Sequence, residues 1–258
     1  LVVTGVQTCA LPISKALDLE VLLNQIKLSY LEINSLEDLA NFRLLTLPKD
    51  LSSIEPVSRR KNIFLSSILP LVVEANLNIL EDRKKLCKAI KVNNYQLKDE
   101  IAKKYFIDLS KIEEISIDTT LKRIVDIVPV SLVMAQAAVE SGWGTSRFAL
   151  EGNALFGQWT WDGQGIAPLD RYSNKSHKIL KFPILRASVK AYKNNLNTHK
   201  SYSKFREKRK QLRDKEKKIT GLALTSTLKN YAQTGSEYTK ILNQIITQNR
   251  LSDFERVK

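Results

Sequence analysis

Ala135-Gln136-Ala137-Ala138-Val139-Glu140-Ser141-Gly142-Trp143-Gly144-Thr145-Ser146 is the stretch whose reading decides the fold. It closes a segment that begins after Pro129, a residue suited to a first helical turn because the backbone donor it lacks would be unpaired there anyway. Residues 131–140 read as a short helix that stops at Gly142 and Gly144. Alanines at 135, 137 and 138 let neighbours approach closely, so this helix is expected to be central. Glu140 then falls in the last turn of an apolar helix. The negative end of the helix dipole, and desolvation by Trp143 and Phe156, should both raise its pKa. A proton retained near neutral pH is what a general acid needs. The alternative is a solvated helix-end glutamate, which is what most helical glutamates are.

Working outward, residues 153–182 alternate short apolar runs with turn residues. Leu155-Phe156, Gln158 to Trp161 and Lys178 to Phe182 are separated by Gly157, Gly163, Gly165 and Pro168, a pattern that predicts a small β-lobe. Helical spacing returns over 184–199, 202–212, 216–228 and 236–248. Upstream, residues 15–45 read as an amphipathic helix carrying Leu19, Leu22, Leu23, Ile26 and Tyr30. Turn-rich Pro48-Lys49-Asp50 and Glu55-Pro56 follow. The basic cluster Arg59, Arg60, Lys61 then leads into a helix over 62–80, whose Ile63, Phe64, Leu65, Ile68 and Leu69 are too many for a one-sided stripe. Further helices are expected over 81–91, 94–104 and 109–128, the last with a capping candidate at Asp108 or Ser110. The expected fold is mainly α, of the α+β type: a helical domain around the central Glu140 helix with a small β-lobe. Residues 14–128 form an N-terminal helical region, 129–250 a second domain with its lobe at about 153–182, and 251–258 a tail.

The chain has 258 residues, 41 Lys+Arg against 27 Asp+Glu and a formal net charge of +14. That surplus attracts polyanions, of which nucleic acid, anionic membrane and acidic cell-wall polymer are the main kinds. No nucleic-acid recognition motif is present, so a basic helical nucleic-acid binder rests on charge alone. The basic run from Lys204 to Lys218, with Arg206, Lys208, Arg209, Lys210 and Arg213, reads most simply as a solvated helix face. Two cysteines, Cys9 and Cys87, support neither a disulfide scaffold nor a thiolate metal site, and His177 and His199 lack paired spacing. No metal and no organic cofactor are expected. The most apolar stretch, residues 63–73, is interrupted by Ser66, Ser67 and Pro70, so no transmembrane segment is expected.

The segment around Glu140 resembles the glucosaminidase family of bacterial wall hydrolases (glycoside hydrolase family 73) in the lysozyme superfamily. Its motif, Ala-Gln-Ala-x-x-Glu-Ser-x-Trp-Gly, is met by Ala135, Gln136, Ala137, Glu140, Ser141, Trp143 and Gly144. Asn153-Ala154-Leu155-Phe156-Gly157 resembles the family's Asn-x-Phe-Gly turn with one residue added. Tyr231-Ala232 followed by Tyr238 resembles its late Tyr-Ala motif. Closer still is the Bax-type bacterial subgroup, through Gly144 to Ala149, the upstream stretch from Leu51 to Lys61, and Ile219-Thr220-Gly221.

This resemblance implies a lysozyme-like fold and hydrolysis of β-1,4 linkages after N-acetylglucosamine in peptidoglycan glycan strands, with Glu140 matching the catalytic acid. Tyr231 would orient the sugar or the water; its alternative is a core tyrosine. Gln136, Asn153, Phe156, Trp159 and Tyr238 are candidates for substrate binding. Trp159 is assigned to the groove and Trp143 to structure, although Trp159 and Trp161 would equally form one face of a strand. Many glycosidases pair the acid with a second carboxylate. The subgroup has Glu directly after Ser-His, and here Ser176-His177 is followed by Lys178. Asp162 and Asp170 remain as candidates, each also a turn residue. The substrate's own 2-acetamido group is the alternative nucleophile. A wall-binding protein that has lost activity, a muramidase and a lytic transglycosylase are the rival readings. The envelope, periplasmic or extracellular, is the expected location, and a monomer the expected state.

Residues 1–13 stand apart. Val3-Thr4-Gly5-Val6-Gln7-Thr8-Cys9-Ala10-Leu11-Pro12-Ile13 resembles the in-frame translation of a short-read sequencing adapter, and the stretch lacks the positive charge that opens a secretory signal. Cys9 would then be foreign to the protein. Deleting residues 1–13 is expected to leave the melting temperature unchanged; a loss of several degrees in a thermal scan would contradict the adapter assignment.

Overall fold

The computed structural model of the chain describes residues 13–25, 42–160, 165–167, 178–229, 231–232 and 234–256. Helix dominates, with one small antiparallel sheet, so the mainly α fold expected from the sequence is the one that forms. In chain order the helices are α1 (Ala16–Gln25), α2 (Val57–Lys91), α3 (Tyr95–Lys104), α4 (Glu114–Ile124), α5 (Val130–Glu140), α6 (Arg147–Gly152), α7 (Leu185–Thr198), α8 (Ser203–Asp214), α9 (Gly221–Leu224) and α10 (Ser236–Gln248). Strands β1 (Trp159–Thr160), β2 (Gly165–Ile166) and β3 (Lys178–Leu180) fall between α6 and α7, in the sheet order β1-β3-β2. Trp159 pairs with Ile179 and Gly165 with Leu180, both ladders antiparallel.

Side-chain caps set several boundaries. Asn94 accepts from the Leu97 N–H to start α3, Ser146 from Ala149 to start α6, and Thr220 from Ala223 to start α9. Asp108 likewise opens a 3₁₀ turn, Leu109–Lys111. Other boundaries depart from expectation. The helices expected over 62–80 and 81–91 are one 35-residue helix, α2, because no breaker lies between them; Pro70 is accommodated inside it. The helix expected over 109–128 is divided where Ile112 and Glu113 take ψ angles of 131° and 132°. The helix expected over 216–228 starts only at Gly221. Residues 42–45 are not helical, and Leu155-Phe156 form a turn rather than a strand. Ile26 and Tyr30 lie outside the described residues. The membrane expectation is also corrected: α2 is long and apolar enough to cross a bilayer by length and composition, although 72% of its most apolar stretch is buried inside the protein, as in a core helix.

Two compact units are distinguishable. One takes the chain up to Glu74 together with Met134–Tyr192. Its buried side chains include Leu44, Leu47, Phe64, Leu65, Ile68, Leu69, Met134, Leu155, Phe156 and Leu185. The basic cluster of α2 is used within this unit. Arg59 makes a two-pronged pair with Glu20 at 2.6 and 2.5 Å, and Arg60 donates to the Ser52 carbonyl at 3.0 Å.

The other unit comprises Ala75–Val133 and Lys193–Arg256. Leu86, Ile101, Tyr105, Leu109, Ile117, Leu121 and Val125 gather in one apolar cluster. Elsewhere in the unit, a single carboxylate, Asp126, organises three guanidiniums. Arg213 grips it with two hydrogen bonds of 2.8 and 2.5 Å, Arg83 stands 3.7 Å away, and Arg209 stands 3.8 Å away. Arg209 is fully buried and donates to the carbonyls of Arg123, Asp126 and Ile127 and to Asn197 Oδ1. The basic run of α8 is therefore not simply a solvated face: Arg209 and Arg213 turn inward while Lys204 and Lys208 are exposed. Lys193, also buried, donates to Asn76 Oδ1 at 2.8 Å, and burial holds its pKa well below the ordinary lysine value. Residues 251–256, read from sequence as part of a tail, form a 3₁₀ segment with Leu251 and Phe254 buried. From it the Glu255 carboxylate accepts the N–H groups of Val130, Ser131 and Gly221, and the Ser131 hydroxyl. A negative charge thus meets the positive end of α5.

Burial pushes the Asp126 carboxyl up, but Arg209, Arg213 and Arg83 together outweigh it and hold the carboxyl below its ordinary range. With the folded pKa depressed, the unfolded state binds more protons on the acid side. The contribution is complete above the unfolded value of about 3.9 and is lost as pH falls through the lower folded value. Asp126→Asn leaves Arg209 buried without its counter-charge and is expected to cost about 3–5 kcal/mol in urea unfolding at neutral pH. Its stability should also change less than wild type's between pH 5 and the acid limit of about 3.

Candidate active site

Glu140 is the last residue of α5 and is half-buried. The turn that follows is held by Ser141, whose hydroxyl donates to the Ala137 carbonyl at 2.5 Å and accepts the Gly144 N–H at 2.8 Å. The Trp143 N–H donates to Ala138 O at 2.8 Å, and the Ser146 N–H to Ser141 O at 2.9 Å. Gly144 has φ +78°, and a β-carbon there would stand 2.6 Å from the Phe64 ring and 2.9 Å from Leu47, so only glycine fits. Trp143 is itself left-handed at φ +58°. Its ring meets Phe64 edge-on at 6.2 Å, and the Lys61 ammonium sits 4.4 Å over its face. Those contacts make Trp143 a fixture of the turn.

The second motif segment is built onto the end of α6. Asn153 terminates that helix at φ +51°, a conformation asparagine tolerates, and its Nδ2 donates to the Phe182 carbonyl at 3.1 Å. The Leu155 N–H donates to Ser188 Oγ at 3.2 Å. These ties deliver Gly157, at φ +59°, beneath the glutamate: an added β-carbon would lie 3.7 Å from Glu140 Oε2. Phe156, next to it, stacks on Tyr192 with ring centroids 3.9 Å apart and planes 13° apart. The Tyr192 hydroxyl donates to Gln136 Oε1, and both residues are fully buried. Gln136, Tyr192, Phe156, Gly157 and Glu140 thus form one continuous structure within their unit.

The remaining candidates are distributed as follows. Trp159 on β1 is 54% exposed, whereas Gln136, Asn153, Phe156 and Tyr238 are each 6% exposed or less. Those four are enclosed by protein. Lys178, on β3, is paired across the ladder with Thr160. Asp162, Asp170, Trp161 and His177 lie outside the described residues. Tyr231 and Tyr238 belong to the other unit, where their rings stack at 5.6 Å and 4° and Tyr202 adjoins Tyr231 at 6.1 Å. Tyr192 and Tyr202 carried no sequence signal beyond helical spacing. Among the described residues no group of three His, Cys, Asp or Glu side chains is arranged to hold a metal ion.

Comparison with known proteins adds two findings. Residues 119–251 match the family model Glucosaminidase, described as mannosyl-glycoprotein endo-β-N-acetylglucosaminidase. The chain is also 35% identical over 211 residues to Protein bax of Escherichia coli (strain K12), an alignment covering 78% of this chain and 74% of that protein. No solved structure matches significantly.

Gly157→Ala would force an L-residue into the left-handed region and set a methyl group against the Glu140 carboxylate. The expected cost is about 1–2 kcal/mol, read as a lowered melting temperature. An unchanged melting temperature would mean that the turn relaxes away from α5.

Proposed function

The chain belongs to the glucosaminidase family, and from that premise we propose that it is a peptidoglycan hydrolase, specifically an endo-β-N-acetylglucosaminidase with Glu140 as its general acid. The observation that carries the reading is the meeting of two motif segments, the Glu140 carboxylate over Gly157. A carboxyl at the end of a buried helix, against a glycine that turns no side chain toward it, supports the placing of a substrate oxygen beside it. The net charge of +14 suits an acidic wall as the place of work, which supports a location in the envelope.

In this reading the Glu140 proton passes to the glycosidic oxygen as the bond from that oxygen to the anomeric carbon breaks. The acetamido oxygen of the substrate attacks the same carbon. Water then opens the ring so formed, giving its proton back to Glu140. No second protein carboxylate is needed, in keeping with Lys178 after Ser176-His177; Asp162 and Asp170 are the candidates if one takes part. Trp159, exposed on β1, supplies a face for a pyranose ring. The family resemblance assigns Tyr231 to orienting the sugar or the water. Gln136, Asn153, Phe156 and Tyr238, being enclosed, act as positioning residues rather than as contacts to the glycan.

Lys178 favours one second reading, a wall-binding protein that has kept the fold without the activity. Zymography on peptidoglycan separates the two. Glu140→Gln keeps the side-chain shape but removes the transferable proton, so hydrolysis should fall by about 10² to 10⁴ while thermal melting shows a folded protein. A folded Glu140→Gln protein with near-wild-type hydrolysis would falsify the assignment. Mass spectrometry of digested sacculi should find reducing N-acetylglucosamine ends; 1,6-anhydro-muramic ends would make the enzyme a lytic transglycosylase instead.

A further inference from the structure

A cavity of about 120 Å³ in the unit that contains Asp126 is lined by Thr120, Arg123 and Ile124 of α4 and by Ser203, Arg206 and Glu207 of α8. Each helix contributes positions i, i+3 and i+4, the spacing that puts three side chains on one face. Two such faces therefore border the space, which opens to solvent at the exposed Ser203 and Glu207. Four of the six residues are hydrogen-bond donors: two hydroxyls and two guanidiniums. The Arg206 Nη1 is already used, donating to the carbonyls of Leu196 at 3.1 Å and His199 at 2.8 Å, which fixes the side chain and leaves its other N–H groups. Arg123 makes no ion pair, and its guanidinium, like the Thr120 and Ser203 hydroxyls, makes no hydrogen bond among the described residues.

The charge balance is unfavourable as it stands. Burial lowers the Arg206 pKa, the neighbouring Arg123 lowers it further, and Glu207 offsets only part of this. Two guanidiniums that repel each other in a partly dehydrated space, with a single exposed carboxylate near them, call for an anion. The volume holds about four waters, enough for one small oxyanion group and too little to enclose a disaccharide. Two forked guanidiniums with two hydroxyls on opposed helices offer donors in more than one plane. A planar carboxylate is satisfied by one fork, whereas a tetrahedral phosphate accepts from several directions and carries more charge.

We infer that Thr120, Arg123, Ser203 and Arg206 form a binding site for a phosphate group between α4 and α8. The site stands independently of the glycan-cleaving reading, since none of its residues belongs to that machinery. Its phosphate is either free or part of a phosphodiester polymer, the two sources offering the same oxygens.

Isothermal titration of the full-length protein with inorganic phosphate and with glycerophosphoglycerol, each at ionic strength matched by sodium chloride, tests it. Saturable binding of at least one of them, with acetate at least about tenfold weaker, is the expected result. Preference for the diester identifies a polymer backbone and preference for inorganic phosphate a free or terminal group. Arg123→Gln, which removes a side chain the fold does not use, should weaken the bound phosphate by about tenfold or more, and Ser203→Ala by less. Glu207→Gln should tighten it by about threefold. Titration heats no different from those of chloride, or a phosphate affinity untouched by Arg123→Gln in a protein of wild-type melting temperature, would overturn the inference. Because peptidoglycan hydrolysis by the same variants is measured separately, failure here leaves the Glu140 assignment intact, and the reverse.

Discussion

A helix without a solvent face leaves every polar side chain on it to be answered by protein, and α5 is buried from Val130 to Ala138. Ser131 is answered by Glu255 at one end, and Gln136 by Tyr192 further along. An unanswered buried group costs about 1–3 kcal/mol, so these pairings select one rotation of the helix about its axis. Gln136 and Glu140 are four residues apart and share a face, so the bond that fixes the first also aims the second. Tyr192 extends the same constraint sideways, since its ring lies on Phe156, whose neighbour Gly157 faces Glu140 Oε2. The site is an outcome of satisfying one buried amide.

The unit holding Asp126 obeys a harsher form of the same rule. A buried guanidinium carries five donors and a full charge, and removing it from water is expensive unless both are answered. Arg209 is answered by three backbone carbonyls, Asn197 and the charge of Asp126 at 3.8 Å, while its Nε makes no hydrogen bond among the described residues. Asp126 in turn needs more than one cation to remain ionised against its own burial. Arg213 and Arg83 serve that need. Such a cluster gives little net stability compared with an apolar core of the same volume, but it strongly penalises any arrangement in which a member is missing.

What was legible in the sequence was local. The α5 helix, its stop at two glycines and the site glutamate follow from residues adjacent in the chain, and the helices expected over 94–104, 202–212 and 236–248 follow from periodicity. What was not legible depended on partners distant in the chain. Phe156 and Gln136 read as residues for a ligand because they fall in the motif segments of the family that the chain resembles. Only the placement of Tyr192, which has no motif of its own, shows that they are occupied with each other. Residues 251–256 look like a tail until Glu255 is seen against Ser131, 124 positions away. The merging of two expected helices into α2 has the opposite cause: a composition change from apolar to charged at Glu81 marks a change of surroundings, not an end of helix.

The cations of α8 show why net charge by itself was a poor guide. Arg209 and Arg213 answer Asp126 and backbone carbonyls, so they contribute to the +14 but little to the field outside. Lys204 and Lys208 are exposed, and their pull on a polyanion is screened over about 8 Å at physiological salt. Arg206 belongs to neither group: three residues before Arg209 and partly dehydrated, it faces Arg123 across a cavity where solvent screens less. One helix therefore presents its positive charge in three settings, of which the first maintains the fold, the second attracts weakly and without selection, and the third has the geometry to choose its anion.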